Sequence, residues 1–180
     1  MPSILWPKLS EILKPCKGER MAVVYDTVTT NMLLIDLAPD RMFVVMSDSV
    51  AEKEMCEEAV KQARGDVLLF GFGLGLILIP IMNKPEVTSV TVVEINPEVL
   101  SLVASQLDLN DKVKIVQMDA HYYEPSQKFD FIWWDIDVSG EQVTAYEESG
   151  ISTNFEARTR SWLKPDGVYL EWCDDGRYRS

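Results

Sequence analysis

Asp66-Val-Leu-Leu-Phe-Gly-Phe-Gly-Leu-Gly-Leu76, running on into Ile77-Leu-Ile-Pro80, decides the fold of this chain. Val67 to Phe70 is a short apolar run that fits a strand buried on both faces. Gly71, Gly73 and Gly75 follow, and then an apolar stretch suited to a helix. A strand turning sharply into a helix leaves backbone N–H groups aimed at whatever lies above the turn. Glycine there lets a ligand approach without a Cβ in the way. Alone, G-x-G-x-G is a weak signal, because glycines also serve ordinary tight turns. Its weight comes from the pattern on either side.

Downstream, strands and helices alternate. A helix from about Leu74 to Met82, shortened or kinked by Pro80, leads to a strand Val90–Glu94. Asn96-Pro97-Glu98 supplies an N-cap, a proline at the first helical position and an acid in the first turn, for a helix reaching about Leu107. Strand Val113–Gln117, a connection through His121 and Tyr122, and strand Asp130–Trp134 come next. After a long polar loop, Thr153-Asn-Phe-Glu156 forms a capping box for a helix reaching Leu163, and Lys164-Pro-Asp-Gly167 turns the chain into a last strand, Val168–Trp172. Such alternation predicts an α/β fold with a parallel sheet and right-handed crossovers.

Upstream, Ser49-Val-Ala-Glu52 has the form of a capping box. It predicts a helix from Val50 to Arg64 with Val50, Cys56, Ala59, Val60 and Ala63 on its buried side. Met21–Val28, Asn31–Leu37 and Arg41–Met46 are strand-like and joined by hairpin-length links, so residues 21–46 predict a three-stranded antiparallel meander. Lys8 to Lys14 fits a brief amphipathic helix. The chain accordingly divides into an appendage, residues 1–47, and an α/β domain, residues 48–180.

Composition narrows the function. At 180 residues and 47% hydrophobic, the chain can bury a real core. A net charge of −12 argues against nucleic acid, whose phosphates need clustered Lys and Arg. It suits a cationic small molecule, and equally plain solubility. Cys16, Cys56 and Cys173 form neither zinc-type spacing nor a disulfide framework, which points to a reducing, cytoplasmic setting. With a single His121, a histidine metal site or a Ser-His-Asp triad is not expected. No apolar run reaches membrane-spanning length, and the start lacks a leader pattern, so no membrane partner is expected. The meander and an open sheet edge leave room for a homodimer.

In an open parallel sheet, ligands bind beyond the carboxyl ends of the strands. Those ends carry the Gly71–Gly75 loop, Glu94, Asp119, and Asp135 with Asp137, on four successive strands. Any one acid is more often turn chemistry than function; the series in step with the glycine loop is the signal. Glu94 suits the two hydroxyls of a ribose, and Asp119 with the Ala120 backbone suits an adenine edge. Ile95 and Met118 either flank the base or pack in the core. The backbone of Gly71, Phe72, Gly73 and Gly75 suits a carboxylate or another electron-rich group. Several acids without nearby Lys or Arg favour a sulfonium cation above the sheet.

Val67-Leu-Leu-Phe-Gly-Phe-Gly-Leu-Gly75, Val92-Val-Glu94, Gln117-Met-Asp119-Ala120, Phe129-Asp-Phe-Ile-Trp-Trp-Asp135 and Leu163-Lys-Pro-Asp-Gly167 resemble the ordered motifs of class I S-adenosylmethionine-dependent methyltransferases, over roughly residues 48–172. The resemblance implies a Rossmann-like sheet of five parallel strands, with no sequence left for the final antiparallel hairpin. It also implies S-adenosylmethionine as cofactor and a small-molecule acceptor. Leu69, where many members carry an acid, and the preceding meander are similar to the spermidine synthase branch. In that branch the Asp135 position is the base that takes a proton from the attacking amine, and the donor is decarboxylated S-adenosylmethionine. Asp135, with Asp137 beside it, is therefore the catalytic candidate.

The sequence departs from that branch at three places. Leu74 replaces the acid of the glycine loop, Asp135-Ile-Asp137-Val138 stands for its Asp-x-x-Asp-Pro run, and Ala51-Glu-Lys-Glu-Met-Cys56 stands where a Tyr-His pair is expected. Methyl transfer to a small acceptor such as an amine ranks first, and aminopropyl transfer second. A non-catalytic nucleoside-binding or interaction module ranks third. A nicotinamide dehydrogenase ranks last, because Leu76 occupies the final glycine position of G-x-G-x-x-G. Trp133, Trp134 and Trp172 are expected in the core, and the Ser139–Ser152 loop reads first as a solvated loop and second as the place where an acceptor would meet the fourth strand.

Overall fold

A computed structural model of the chain describes residues 4–39, 41–136 and 155–172. The Asp137 position, the Ser139–Ser152 loop, and Thr153 and Asn154 of the expected second capping box lie outside the described residues.

The first 47 residues contain an antiparallel sheet. A short helix α1 (Leu9–Ile12) precedes strands β1 (Cys16–Lys17), β2 (Met21–Asp26), β3 (Asn31–Asp36) and β4 (Phe43–Ser47), which lie in the order β1-β2-β3-β4. The meander expected from residues 21–46 is present, with one strand more: Cys16 and Lys17 pair with Val23 and Ala22. That strand is two residues long, too short to leave a pattern in the sequence. Glu98, on helix α4 (Pro97–Leu102), accepts hydrogen bonds from the Arg20 and Met21 N–H groups, at 3.0 and 2.8 Å to Oε2, and ties this sheet to the rest.

Helix α2 (Val50–Gln62) starts where the capping box places it, with Ser49 Oγ accepting from the Glu52 N–H at 3.3 Å. Cys56, Ala59, Val60 and Ala63 are buried as expected, but Val50 is 71% exposed. Val50 is the first helical residue and sits ahead of the turn that meets the sheet.

Strands β5 (Gly65–Phe70), β6 (Val87–Glu94), β7 (Val113–Gln117), β8 (Phe129–Trp134) and β9 (Leu163–Glu171) build the main sheet in the order β7-β6-β5-β8-β9, every pair parallel. Along β5, Val67 and Leu69 enter one core while Leu68 and Phe70 enter the other, the period-two alternation of a strand covered on both faces. The first core joins the antiparallel sheet, α2 and helix α3 (Leu78–Met82). The second gathers Phe70, Trp134, Trp162 and Tyr169, with Phe155 of helix α5 (Phe155–Arg160) packed on it. Trp133 and Trp134 are core residues, as expected.

Several element boundaries differ from expectation. Helix α3 begins at Leu78, not Leu74, because Gly71, Gly73 and Gly75 all adopt positive φ and hold the chain in a turn. Starting there also puts Pro80 in the first helical turn, where its missing N–H does no harm. Helix α4 stops at Leu102 and passes through a 3₁₀ turn, Ala104–Gln106, in place of a continuous helix to Leu107. Helix α5 ends at Arg160, and Leu163 already pairs with Phe129 in the sheet. Lys164-Pro-Asp-Gly167 is a bulge inside β9, not a turn before it. From that bulge Lys164 Nζ reaches Asp66 and Asp130, each at 2.7 Å, and closes the amino ends of β5 and β8. Among the described residues, no helix is long and apolar enough to cross a membrane.

Candidate functional site

The strand order reverses at β5, whose crossover leads to β6 on one side while β8 lies on the other. A crevice at such a switch point is where open α/β sheets bind ligands. Gly71 opens it: Phe70 pairs with Trp134, and a Cβ on Gly71, whose φ is +91°, would stand 3.1 Å from the Asp135 carbonyl oxygen. Only glycine lets the two chain segments pass this closely.

Glu94, at the end of β6, is buried. Its Oε2 accepts from the Phe72 N–H at 2.8 Å and its Oε1 from the Asn96 N–H at 2.7 Å. The acid thereby fixes the glycine loop against the next strand. Glu94 pairs with Gln117, and the Met118 N–H donates to the Glu94 carbonyl, so Ile95 and Met118 are neighbours just past the strand ends. Neither is core: Ile95 is 60% and Met118 42% exposed. Tyr122 is also exposed, whereas Tyr123 packs against Phe70.

Asp119 caps the 3₁₀ turn Ala120–Tyr122, its Oδ1 accepting from the His121 N–H at 2.9 Å and meeting His121 Nδ1 at 2.8 Å. Burial lowers the His121 pKa, opposed by the Asp119 carboxylate. Arg158 on α5 donates to the carbonyls of His121 and Tyr123, at 2.6 and 2.8 Å, and holds this segment in place.

Asp135 follows β8. Burial pushes its carboxyl up to about 6, opposed by the nearby Trp133 indole, which favours the ionised form. Glu52, on the first turn of α2, is pushed up to about 7 by burial and then by the Asp135 charge. Burial, Asp135 and Glu52 together raise the Cys56 thiol one turn further along α2. Asp135 thus shares its surroundings with a second carboxyl that sequence reasoning missed. Glu52 reads in the sequence as a capping-box residue, and its nearness to the Asp135 charge arises only in the folded chain.

The glycine loop differs from the open row of donors expected. The Gly71 N–H donates to Val93 O, Phe72 N–H to Glu94, Leu74 N–H to Met46 Sδ and Gly75 N–H to Phe72 O. Leu74 and Leu76 are fully buried. The loop turns most of its polar groups into the protein because the helix that would have oriented them begins only at Leu78.

Glu94, Ile95, Met118, Asp119, Gly71 and Asp135 therefore all lie along the carboxyl ends of β6, β7, β5 and β8. A groove of about 910 Å³ lies elsewhere, lined by Trp6, Ile12, Val60, Pro80, Pro85 and Glu86 near the start of β6, and holds none of these acids. Among the described residues, no three His, Cys, Asp or Glu side chains gather as a metal site requires.

No known protein-family signature matches the chain, and no curated protein matches it by sequence. Solved structures do match its fold. A probable spermidine synthase from Corynebacterium glutamicum superposes with a TM-score of 0.63 at 16% identity, over 89% of this chain and 63% of that one. Spermidine synthase from Thermotoga maritima gives 0.59 at 13% identity, over 88% and 55%. The N-methyltransferase NodS from Bradyrhizobium japonicum, in complex with S-adenosyl-L-homocysteine, gives 0.51 at 14% identity, over 69% and 62%. The chain thus spans less than two thirds of the length of each of these proteins. What it shares with them is the fold, a Rossmann-like α/β sheet of the methyltransferase and spermidine synthase type.

Proposed function

We propose that the carboxyl rim binds an adenosyl nucleoside and that the protein transfers a group, in the first instance a methyl group, from S-adenosylmethionine to a small amine acceptor. The observation that carries this is the placement of the half-buried Asp135 carboxyl, raised to about 6, at the switch-point crevice on the same rim as Glu94 and the exposed Ile95–Met118 pair. Solvent-exposed apolar side chains adjacent in register, bordered by acids, fit a purine face with a ribose beside it. Glu94 takes the ribose hydroxyls, Asp119 and the Ala120 backbone the adenine edge, and Ile95 and Met118 the base. Gly71, Phe72, Gly73 and Gly75 form the floor beneath the 5′ carbon. S-adenosylmethionine supplies an electrophilic carbon on a cationic sulfur.

The chain's own residues hold the acceptor and receive its proton. A carboxyl with a pKa of about 6 is ionised at neutral pH yet basic enough to accept a proton from an attacking ammonium-derived nitrogen. Glu52 adds negative character on the same side and favours a cationic acceptor. Holding the amine in line contributes the greater part of the rate. Aminopropyl transfer is the second reading, supported by the antiparallel sheet, since the spermidine synthase structures cover 88–89% of the chain against 69% for the N-methyltransferase.

Calorimetric titration with S-adenosylmethionine, its decarboxylated form, 5′-methylthioadenosine and NAD tests this, followed by transfer assays on simple di- and monoamines. Saturable binding of the adenosyl sulfur compounds but not NAD is expected. Absence of binding by all of them contradicts the proposal and favours an interaction module.

A further inference from the structure

We propose that His121 is a positioning residue of the nucleoside site: its ring Nδ1–H holds the Asp119 carboxylate at the rim as a fixed acceptor, and so makes the site choose 6-amino purines over 6-oxo purines. The inference rests on the nucleoside site proposed above and goes beyond it by naming what orients the acid that meets the base.

Asp119 and His121 lie two residues apart, at the start of the 3₁₀ turn Ala120–Tyr122 that follows β7. One carboxylate oxygen, Oδ1, meets the same residue twice: it accepts from the His121 N–H at 2.9 Å and lies 2.8 Å from the ring Nδ1. An ionised carboxylate only accepts hydrogen bonds, so an imidazole facing it carries its proton on Nδ1. The backbone contact alone caps the turn. The terminal torsion of an aspartate is broad, and the ring contact is what stops this one from turning.

The ring is itself held in place. His121 is 4% exposed and sits between two aromatic side chains, Phe155 of α5 with ring centroids 3.9 Å apart and Trp134 of β8 at 5.8 Å. Arg158, also on α5, donates to the His121 carbonyl at 2.6 Å and to the Tyr123 carbonyl at 2.8 Å, which fixes the backbone of the turn. Burial lowers the His121 pKa and keeps the ring neutral at neutral pH, opposed by the Asp119 charge. A phenylalanine would fill this aromatic box as well. What the imidazole adds toward the rim is a donor to Asp119.

The Asp119 side chain keeps 20% of its surface open beside the exposed Met118, while His121 behind it is closed to solvent. A base lying on Ile95 and Met118 brings its edge to that carboxylate, and a 6-amino group donates to it. A 6-oxo purine instead sets an acceptor against an acceptor. It offers its donor one atom further round the ring, at N1. A carboxylate free to turn would follow that donor; one held by His121 does not.

His121 is the chain's single histidine, so nitrogen NMR of the untagged, histidine-labelled protein reads its tautomer without overlap. The proton is expected on Nδ1, with the Nδ1 resonance shifting as 5′-methylthioadenosine saturates the site. Calorimetry with 5′-methylthioadenosine and 5′-methylthioinosine, with melting curves as a folding control, supplies the second readout. The wild type should prefer the amino nucleoside roughly tenfold or more. His121→Phe, which keeps a ring between Phe155 and Trp134, should cut that preference about fivefold. His121→Asn, whose amide nitrogen falls near the position of Nδ1, should restore most of it. The tautomer is read on the wild type and decides the matter even where a variant fails to fold. A proton on Nε2 in place of Nδ1, equal binding of the two nucleosides by the wild type, or an unchanged preference in folded His121→Phe overturns the role of His121 and leaves the nucleoside site standing. Equal losses of preference in His121→Phe and His121→Asn do the same. Failure of the folded wild type to bind either nucleoside overturns the site itself, and this inference with it.

Discussion

Asp135 and Glu52 make the protein's stability depend on pH in a definite direction. Burial raises both carboxyls in the folded state, from 3.8 to about 6 and from 4.5 to about 7. The native state therefore binds these protons more tightly than the unfolded chain. Their contribution is full below about pH 4 and lost as pH rises through about 6 to 7. Asp135→Asn should flatten that part of the profile and raise the melting temperature at pH 8 by about 2–4 °C, roughly 1 kcal/mol. The same variant should lower transfer by about 10²–10⁴-fold. Thermal melts from pH 4 to 8 with a parallel rate assay check both. Glu94→Ala should act differently. It leaves the buried Phe72 N–H and the Asn96 N–H without their acceptor, costing about 1–3 kcal/mol, and weakens nucleoside binding tenfold or more. Calorimetry at a temperature where the variant remains folded separates the two effects. The positions of Glu94, Asp119 and Asp135 were readable as acids ending successive apolar runs. The hydrogen bonds that tie Glu94 to the glycine loop, and the approach of Glu52 to Asp135, depend on which strands and helices become neighbours, and spacing along the chain does not encode that.

Local chemistry explains which elements could be located in advance. Asn96 caps α4 by accepting the Glu98 N–H at 2.9 Å, and Ser49 caps α2, both where short side-chain oxygens precede an apolar pattern. Replacing either by alanine should cost about 1 kcal/mol, measured by denaturant unfolding. Helix α3 was harder, because Leu74 to Leu78 is apolar enough for a helix while the three positive-φ glycines delay it. The β9 bulge was misplaced as a turn for a related reason: its purpose is to carry Lys164 to Asp66 and Asp130, a contact nearly a hundred residues away in sequence for the first acid. Glu98 makes another long-range tie. Glu98→Ala should release the Arg20 and Met21 N–H groups and speed amide hydrogen exchange across β2, with little change in β5 or β8.

Across the molecule, two sheets share one core, and that sharing places Met46 over the loop that the main sheet presents. A strand-by-strand reading finds the parallel sheet and the meander separately, yet the seam between them is where the glycine loop loses its open face. The same scale distinguishes the rim from the apolar groove beside Trp6 and Ile12. Methyl-selective NMR of the isoleucine- and methionine-labelled chain, titrated with 5′-methylthioadenosine, tests the nucleoside site most directly. Saturable shifts centred on Ile95 and Met118 are the expected result. Unmoved rim methyls, or shifts confined to Ile4, Ile12 and Ile79 around the groove, would contradict it.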